Sequence, residues 1–184
     1  LILQPKNKNM SKADIDYKNT HFEIPELTRI HGQPTTADLI TMKRQVRANA
    51  STVHTTLGGG HNGHLGMTCT PQVYALVPNS EPYQRPDAPQ PLQVQPGATQ
   101  FQIQQARDEH AERVRLFKEV LAVERALIQQ IVAALDAKYI KALRDPITNK
   151  ISRAIPEIFG HLFDAYGHVT PSELYELKQK VENM

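Results

Sequence analysis

The residues best suited to chemistry are three histidines in a short glycine-rich stretch, His54, His61 and His64. Imidazole nitrogens are frequent zinc ligands, and the intervening glycines would allow the three side chains to converge on one ion. A zinc site also needs carboxylates that orient its histidines, yet Asp and Glu are absent between Leu39 and Ser80. The sequence therefore favours turn and surface positions for these histidines, with a zinc site as the alternative.

Two further patterns in this stretch could carry chemistry, and both lack essential parts. The run GGGHNG resembles a phosphate-binding loop, but no strand precedes it and the Lys-Ser/Thr pair of such loops is missing. Cys69 is the only cysteine, which excludes an internal disulfide and a cysteine-rich zinc knuckle within this sequence. A lone cysteine without a family signature is usually a small packed residue. We therefore expect no catalytic residue, no cofactor and no small-molecule substrate, and predict that the protein is not an enzyme.

The charge is almost balanced, with 21 Lys and Arg residues, 19 Asp and Glu residues and a formal net charge of +2. Because these residues are spread along the chain, they do not form the basic patch typical of nucleic-acid binding. The charge does not indicate RNA binding, although it does not prevent it. No apolar run approaches the roughly 20 residues that cross a bilayer, and LILQPKNKN lacks the apolar core of a signal peptide. We expect a cytoplasmic protein without membrane contact.

Apolar residues recur at intervals of three and four in several segments, which predicts helices. We expect Thr36 to cap the first helix, which should run to Leu57. Thr70 followed by Pro71 has the pattern of an N-cap with proline at the first helical position, and predicts a short helix.

The second half of the chain carries stronger helix signals. Thr99 and Gln102 form a capping-box pattern that begins the longest predicted helix. A later helix should end at Gly167 in the left-handed conformation, and the pattern Thr-Pro-Ser-Glu at 170–173 begins a last one. No segment alternates with a period of two, so the predicted fold is all-α, with about five or six helices.

The predicted helices belong to one helical domain, residues 31–184, preceded by an N-terminal arm, residues 1–30. A glycine-rich turn at 57–66 and a connector at 78–96 that contains six prolines interrupt the helices. The apolar residues of the arm could dock on their own domain or on a neighbour, and the pattern does not choose between these. The candidate inter-subunit contacts are Ile15, Tyr17, Phe22 and Ile24 in the arm and Tyr83 and Arg85 in the connector.

Four stretches together carry a family resemblance: LGGGHNGHLG, the proline-rich connector, LFKEVLAVERALIQQIVAAL and ITNKISRAIPEIFGHLFDAYGHVTPSEL. In this order they resemble the Gag polyproteins of copia-type LTR retrotransposons. The resemblance implies a helical, capsid-type lobe that multimerises into cytoplasmic virus-like particles and encloses the RNA of the element. It further implies a structural protein whose main partner is itself.

Two other functions are compatible with the same residues. A non-assembling helical adaptor, such as a Gag-like protein domesticated by its host, would bind a protein partner as a monomer or dimer. A zinc-dependent enzyme using His54, His61 and His64 would contain stoichiometric metal. Assembly that increases with protein concentration is expected of the capsid-type protein and not of the adaptor. Metal analysis of the purified protein tests the zinc-enzyme alternative.

Overall fold

A computed structural model describes residues 15–167 and Gln179, and within these residues it contains helices and no strand. The all-α class expected from the sequence is confirmed. The predicted helix after Thr170 lies outside the described residues except for Gln179, which is helical. The helices are α1 (Tyr17–Thr20), α2 (Thr36–Thr52), α3 (Pro71–Tyr74), α4 (Gln100–Ala134), α5 (Ala137–Ile140) and α6 (Ile155–Tyr166), with short 3-10 turns at Leu57–Gly59, Leu65–Thr68 and Lys141–Leu143. None of these helices is both long enough and apolar enough to cross a bilayer.

Helix α2 is capped by Thr35 and not, as expected, by Thr36. The Thr35 hydroxyl accepts from the backbone N–H of Asp38 at 3.2 Å, and the Asp38 carboxylate accepts from the backbone N–H of Thr35 at 3.0 Å. This reciprocal capping box satisfies two free N–H groups at the start of the helix. The helix ends at Thr52, earlier than expected, since Val53 is extended with φ −88° and ψ 112°.

Helix α4 has 35 residues and a length of about 52 Å. It begins at the expected capping box, in which the Thr99 hydroxyl and the Gln102 side chain each accept from the other residue's backbone N–H. Residues 100–119 contribute no buried side chain, so the first half of this helix lies outside the core. Its buried residues are Val120, Val123, Leu127, Gln130, Ile131 and Ala134.

The hydrophobic core forms around α2, which contacts both α4 and α6. Each fully buried side chain stabilises the fold by about 1.5–3 kcal/mol through removal of apolar surface from water. Among the core side chains with the least exposure are Leu39, Met42 and Val46 of α2, Leu127 and Ile131 of α4, and Ile155, Ile158, Phe159 and Leu162 of α6.

Helix α6 begins at Ile155 with Pro156 in its first turn, where the missing N–H of proline costs no hydrogen bond. The expected left-handed cap at Gly167 is wrong, because Gly167 has φ −79° and ψ 15°. Its N–H donates to the carbonyl oxygen of Phe163 at 2.8 Å, and an added Cβ would lie 2.5 Å from the same oxygen. Glycine is therefore needed here for space and not for a positive φ.

The N-terminal segment packs on the helices of its own chain. Tyr17 and Phe22, each 6% exposed, belong to the core. The Asn49 side chain accepts from the N–H of Ile24 and donates to its carbonyl oxygen, each at 2.8 Å. Gln130 accepts from the Asn49 amide at 2.8 Å and donates to the Ile24 carbonyl at 2.9 Å. Two buried amides thus hold this segment between α2 and α4.

Candidate functional site

The glycine-rich turn brings two tyrosine rings against the backbone. Gly58 has φ +62°, and an added Cβ would lie 2.6 Å from the hydroxyl oxygen of Tyr74. This hydroxyl donates to the carbonyl oxygen of Gly58 at 3.0 Å. At Gly66 an added Cβ would overlap the ring of Tyr83. Glycine is required at both positions because a tyrosine occupies the space that a side chain would fill.

His64 belongs to the glycine-rich turn, contacts α4 and is completely buried. Its Nε2 is 3.2 Å from a carboxylate oxygen of Glu119, and its Nδ1 is 2.7 Å from the hydroxyl oxygen of Tyr83. A carboxylate can only accept hydrogen bonds, so Nε2 carries the imidazole proton and Nδ1 accepts from the Tyr83 hydroxyl. The contact joins three separate elements, since Tyr83 belongs to the proline-rich connector and Glu119 to α4.

Glu119 is also bound by a cation, because its second oxygen accepts from Nη1 of Arg115 at 2.7 Å. We call Tyr83, His64, Glu119 and Arg115 the histidine cluster. Burial lowers the pKa of His64 and outweighs the hydrogen bond and the charge of Glu119, which raise it. Burial also raises the pKa of Tyr83. At neutral pH the cluster therefore contains two uncharged rings and one carboxylate whose charge Arg115 compensates.

A second polar contact binds the connector one turn further along α4. Nη1 and Nη2 of Arg85 donate to the two carboxylate oxygens of Glu124 at 2.7 and 2.6 Å. This bidentate geometry matches the planar guanidinium to the carboxylate, and the hydrogen bond raises the pKa of Arg85. Of the two connector residues selected from the sequence, Arg85 is thus held against α4 and Tyr83 against His64 of the glycine-rich turn, so both contact their own chain.

The connector must run back along the first half of α4. Arg85 is bound to Glu124, whereas Thr99 caps the first turn of the same helix. Between these two points the helix rises about 36 Å, and the intervening stretch of about 14 residues spans about 43 Å as polyproline II. Most of this stretch must therefore be extended, and a turn at 95–98, closed by a hydrogen bond from the Ala98 N–H to the Gln95 carbonyl oxygen at 3.2 Å, leads into the helix. We call connector residues 84–98 and α4 residues 100–119 together the projection.

The projection carries large apolar side chains that the chain itself does not cover. Phe101 is 78% exposed, Val94 43% and Leu92 37%. The apolar row predicted for this part of α4 is only half-buried, and consists of Ile103, Ala106, His110, Val114 and Phe117. Large exposed apolar side chains on an element that lies outside the core are candidates for a protein contact surface.

The candidate contacts in the N-terminal arm differ in how accessible they are. Tyr17 and Phe22 are buried within their own subunit, and Ile24 is partly buried against the core. Ile15 is 58% exposed. Of these four residues only Ile15 presents most of its side chain to solvent, where another subunit could contact it.

The three histidines of the glycine-rich stretch have different environments. His54 and His61 are exposed, whereas His64 is enclosed with both ring nitrogens engaged. In the part of the chain that the structure describes, no three His, Cys, Asp or Glu side chains are grouped so that they could hold a metal ion. Cys69 is buried, with its sulfur 3.7 Å from the Thr68 hydroxyl. His64 and Cys69 are thus enclosed where a substrate could not reach them without local opening.

The sequence did not indicate the α4 residues of this site, Arg115, Glu119 and Glu124, and Glu119 is the one that contacts His64. Carboxylates are absent only from the neighbouring residues 39–80, whereas Glu119 is 55 positions from His64. One signal was present, because Glu119 lies four residues before Val123 and eight before Leu127, on the face of α4 that is buried further along. A charged residue in an apolar row indicates a buried partner.

No protein-family model matches this chain, and neither a characterised protein nor a solved structure was found to match it. The function therefore has to be inferred from the residues and contacts described above.

Proposed function

We propose that this chain is a self-associating structural protein that builds multimeric particles, as capsid-type Gag proteins of retroelements do. The observation that carries this proposal is the projection, in which α4 continues for about 30 Å beyond its buried half. The projection exposes Phe101, Leu92 and Val94 and has no core of its own. Burial of these side chains against a second copy would remove apolar surface from water that the isolated chain leaves exposed.

The position of the projection favours an open series of contacts over a closed pair. A protruding element that inserts against a different surface of the next copy makes a heterologous contact, and repeated heterologous contacts generate rings, filaments or curved shells. Each such contact can be modest, because the assembly contains many of them. The resemblance to copia-type Gag polyproteins leads to the same kind of assembly, with cytoplasmic virus-like particles as the product.

The histidine cluster and the Arg85–Glu124 pair contribute by giving the projection a defined direction. Tyr83 binds the connector to His64 and Arg85 binds it to α4, and the connector must then reach Thr99 at the start of the helix. A projection held in this way presents the same surface in every copy, which lowers the entropy lost on association. The net charge of +2 adds little repulsion between copies.

The decisive experiment is mass photometry with negative-stain imaging across protein concentration and salt. We expect regular particles whose population grows with concentration. Phe101→Glu should raise the concentration needed for assembly by about 10- to 100-fold, the equivalent of the roughly 1.5–3 kcal/mol that burial of such a side chain contributes.

The matched control is Leu76→Glu, which places the same charge at a leucine that is 83% exposed outside the projection. It should leave assembly unchanged. A monomer or dimer at every concentration would contradict self-association and favour a helical adaptor. Equal effects of Phe101→Glu and Leu76→Glu would show that the projection is not the contact surface.

A further inference from the structure

A groove separate from the projection lies between the second half of α4 and the segment at 144–152. Its volume is about 800 Å³. The floor is apolar and is formed by Leu121, Ile128 and Val132 of α4 together with Ile151 of the opposite wall. All four side chains are only half-buried, so the chain leaves part of this apolar surface open to solvent.

The rim of the groove is basic. Arg125, Arg144 and Lys150 line it, and among the described residues none of the three forms an ion pair. Arg144 is oriented by a hydrogen bond from Nη1 to the carbonyl oxygen of Asn149 at 2.8 Å. The other lining residues include a single acid, Glu124.

The two carboxylates near this rim do not neutralise it. Glu124 is bound by both Nη atoms of Arg85, at 2.7 and 2.6 Å. Asp145 is directed into its own loop, where its Oδ1 accepts from the N–H groups of Ile147 and Thr148 at 3.0 and 2.7 Å. The groove therefore combines an open apolar floor with three cations that lack a carboxylate partner.

We infer that this groove binds an amphipathic, acidic segment of a partner protein. Leu121, Ile128 and Val132 are spaced by seven and four residues and form one row about 16 Å long on α4. About three turns of a second helix, with apolar residues at intervals of three and four, would cover this row. Glu or Asp side chains beside those apolar residues would meet the three cations of the rim.

The apolar floor distinguishes this ligand from a nucleic acid. Phosphate groups would pair with the rim but would leave Leu121, Ile128, Val132 and Ile151 uncovered. A peptide with both apolar and acidic side chains satisfies both parts of the groove. The inference goes beyond self-association, because the groove and the projection use different residues and can be altered separately.

Fluorescence anisotropy with a designed helical peptide tests the inference on the full chain. The probe is a labelled peptide of about 15 residues, with Leu at intervals of three and four and Glu between them. We expect a Kd of about 1–100 μM that weakens as salt is raised. A second peptide, in which each Glu is replaced by Lys, should bind at least about tenfold more weakly.

The variants locate the binding surface. Arg125→Glu with Lys150→Glu should weaken binding of the acidic peptide by about tenfold or more, and Leu121→Ala should weaken it by a few-fold. The matched control is Arg107→Glu, the same charge change 18 residues earlier on α4, which is five helical turns and about 27 Å away. It should leave the Kd unchanged, and circular dichroism should show the same helix content for every variant.

Three results would each overturn the inference. The first is no binding of the acidic peptide up to its highest soluble concentration. The second is a loss of affinity in Arg107→Glu as large as that in the groove variants. The third is tighter binding of a labelled uridine oligonucleotide than of the peptide, with the same response to the groove variants. The last result would assign the groove to a nucleic acid instead.

Discussion

The hydroxyl of Tyr83 lies 2.7 Å from Nδ1 of His64, and this contact is one of several that join the proline-rich connector to the glycine-rich turn. The opposite nitrogen of the same ring reaches Glu119 of α4. A completely buried imidazole therefore lies where three elements meet. Its protonation state should affect how firmly these elements are held together.

The stability of the fold should depend on pH through His64. Because burial lowers the pKa of folded His64, the unfolded chain binds a proton first as pH falls below about 6.5. The contribution of His64 to the free energy of unfolding is thus fully present above this pH and decreases below it. Urea unfolding at pH 7.5 and 5.5 should show a smaller loss of stability between these two values for His64→Gln than for the wild type.

The exposed His54 supplies the control for this measurement. His54→Gln should keep the pH dependence of the wild type. At pH 7.5 His64→Gln itself should lower the free energy of unfolding by about 1–3 kcal/mol, since it leaves the Tyr83 hydroxyl and the Glu119 carboxylate less well paired. Equal pH dependence in His64→Gln and the wild type would show that His64 does not titrate with unfolding.

Two glycines should respond in opposite directions to the same substitution. An added Cβ at Gly66 would overlap the Tyr83 ring, whereas at Gly160 within α6 no atom lies within 4 Å of it. Gly66→Ala should lower the free energy of unfolding by about 1–3 kcal/mol through overpacking. Gly160→Ala should raise it by about 0.4–1 kcal/mol, because alanine restricts the unfolded chain without strain in the helix. Thermal and urea unfolding measure the free energy of unfolding of both variants. A Gly66→Ala variant as stable as the wild type would show that Tyr83 can move away at little cost.

The sequence predicted the features that depend on neighbours along the chain. The capping box of α4 at Thr99 and Gln102 and the start of α3 at Thr70 and Pro71 are confirmed, because caps are local hydrogen bonds with characteristic residue types. The left-handed cap at Gly167 was wrong, since glycine serves there to avoid the Phe163 carbonyl. Sequence spacing does not distinguish these two uses of glycine.

The contacts that create the candidate site could not be predicted in this way. His64 and Glu119 are 55 residues apart, and Arg85 and Glu124 are 39 apart. Periodicity shows which face of a helix is apolar, but it does not show which loop packs against that face. The connector was correctly expected to interrupt the helices, because its prolines prevent a helix. Its course along α4 follows from the positions of its two ends, at Glu124 and at Thr99, and the first of these depends on a contact between residues far apart in the sequence.

The hydrogen bonds of the buried Asn49 and Gln130 side chains should stabilise the packing of the N-terminal segment on α2 and α4. Asn49→Ala removes the groups that pair with both the N–H and the carbonyl of Ile24. Each buried polar group left unpaired costs about 1–3 kcal/mol, so urea unfolding should show a loss in that range or above it. Gln129→Ala, at an exposed position beside Gln130, should have little effect. Hydrogen exchange should accelerate at the Ile24 amide in Asn49→Ala, and an unchanged rate would show that another group replaces Asn49.

The ion pair of Arg85 and Glu124 should control how tightly the connector is held beside α4. Arg85→Glu places two carboxylates together and should release the start of the connector, because like charges at this distance repel. Cleavage of residues 84–98 by proteinase K should become about 2- to 10-fold faster, in line with easier local opening. Arg113→Glu, at an exposed residue of the projection without an ion pair among the described residues, should keep the wild-type rate.

A double variant in which the two charges are exchanged shows whether the loss of the ion pair, and not the added negative charge in general, causes the faster cleavage. Arg85→Glu combined with Glu124→Arg rebuilds the pair in the opposite orientation and should return cleavage to near the wild-type rate. If particles form as proposed, the same double variant should also restore assembly that Arg85→Glu weakens. Failure of the exchange to slow cleavage would mean that the connector is held by the histidine cluster and the packing of Tyr83, with little contribution from Arg85.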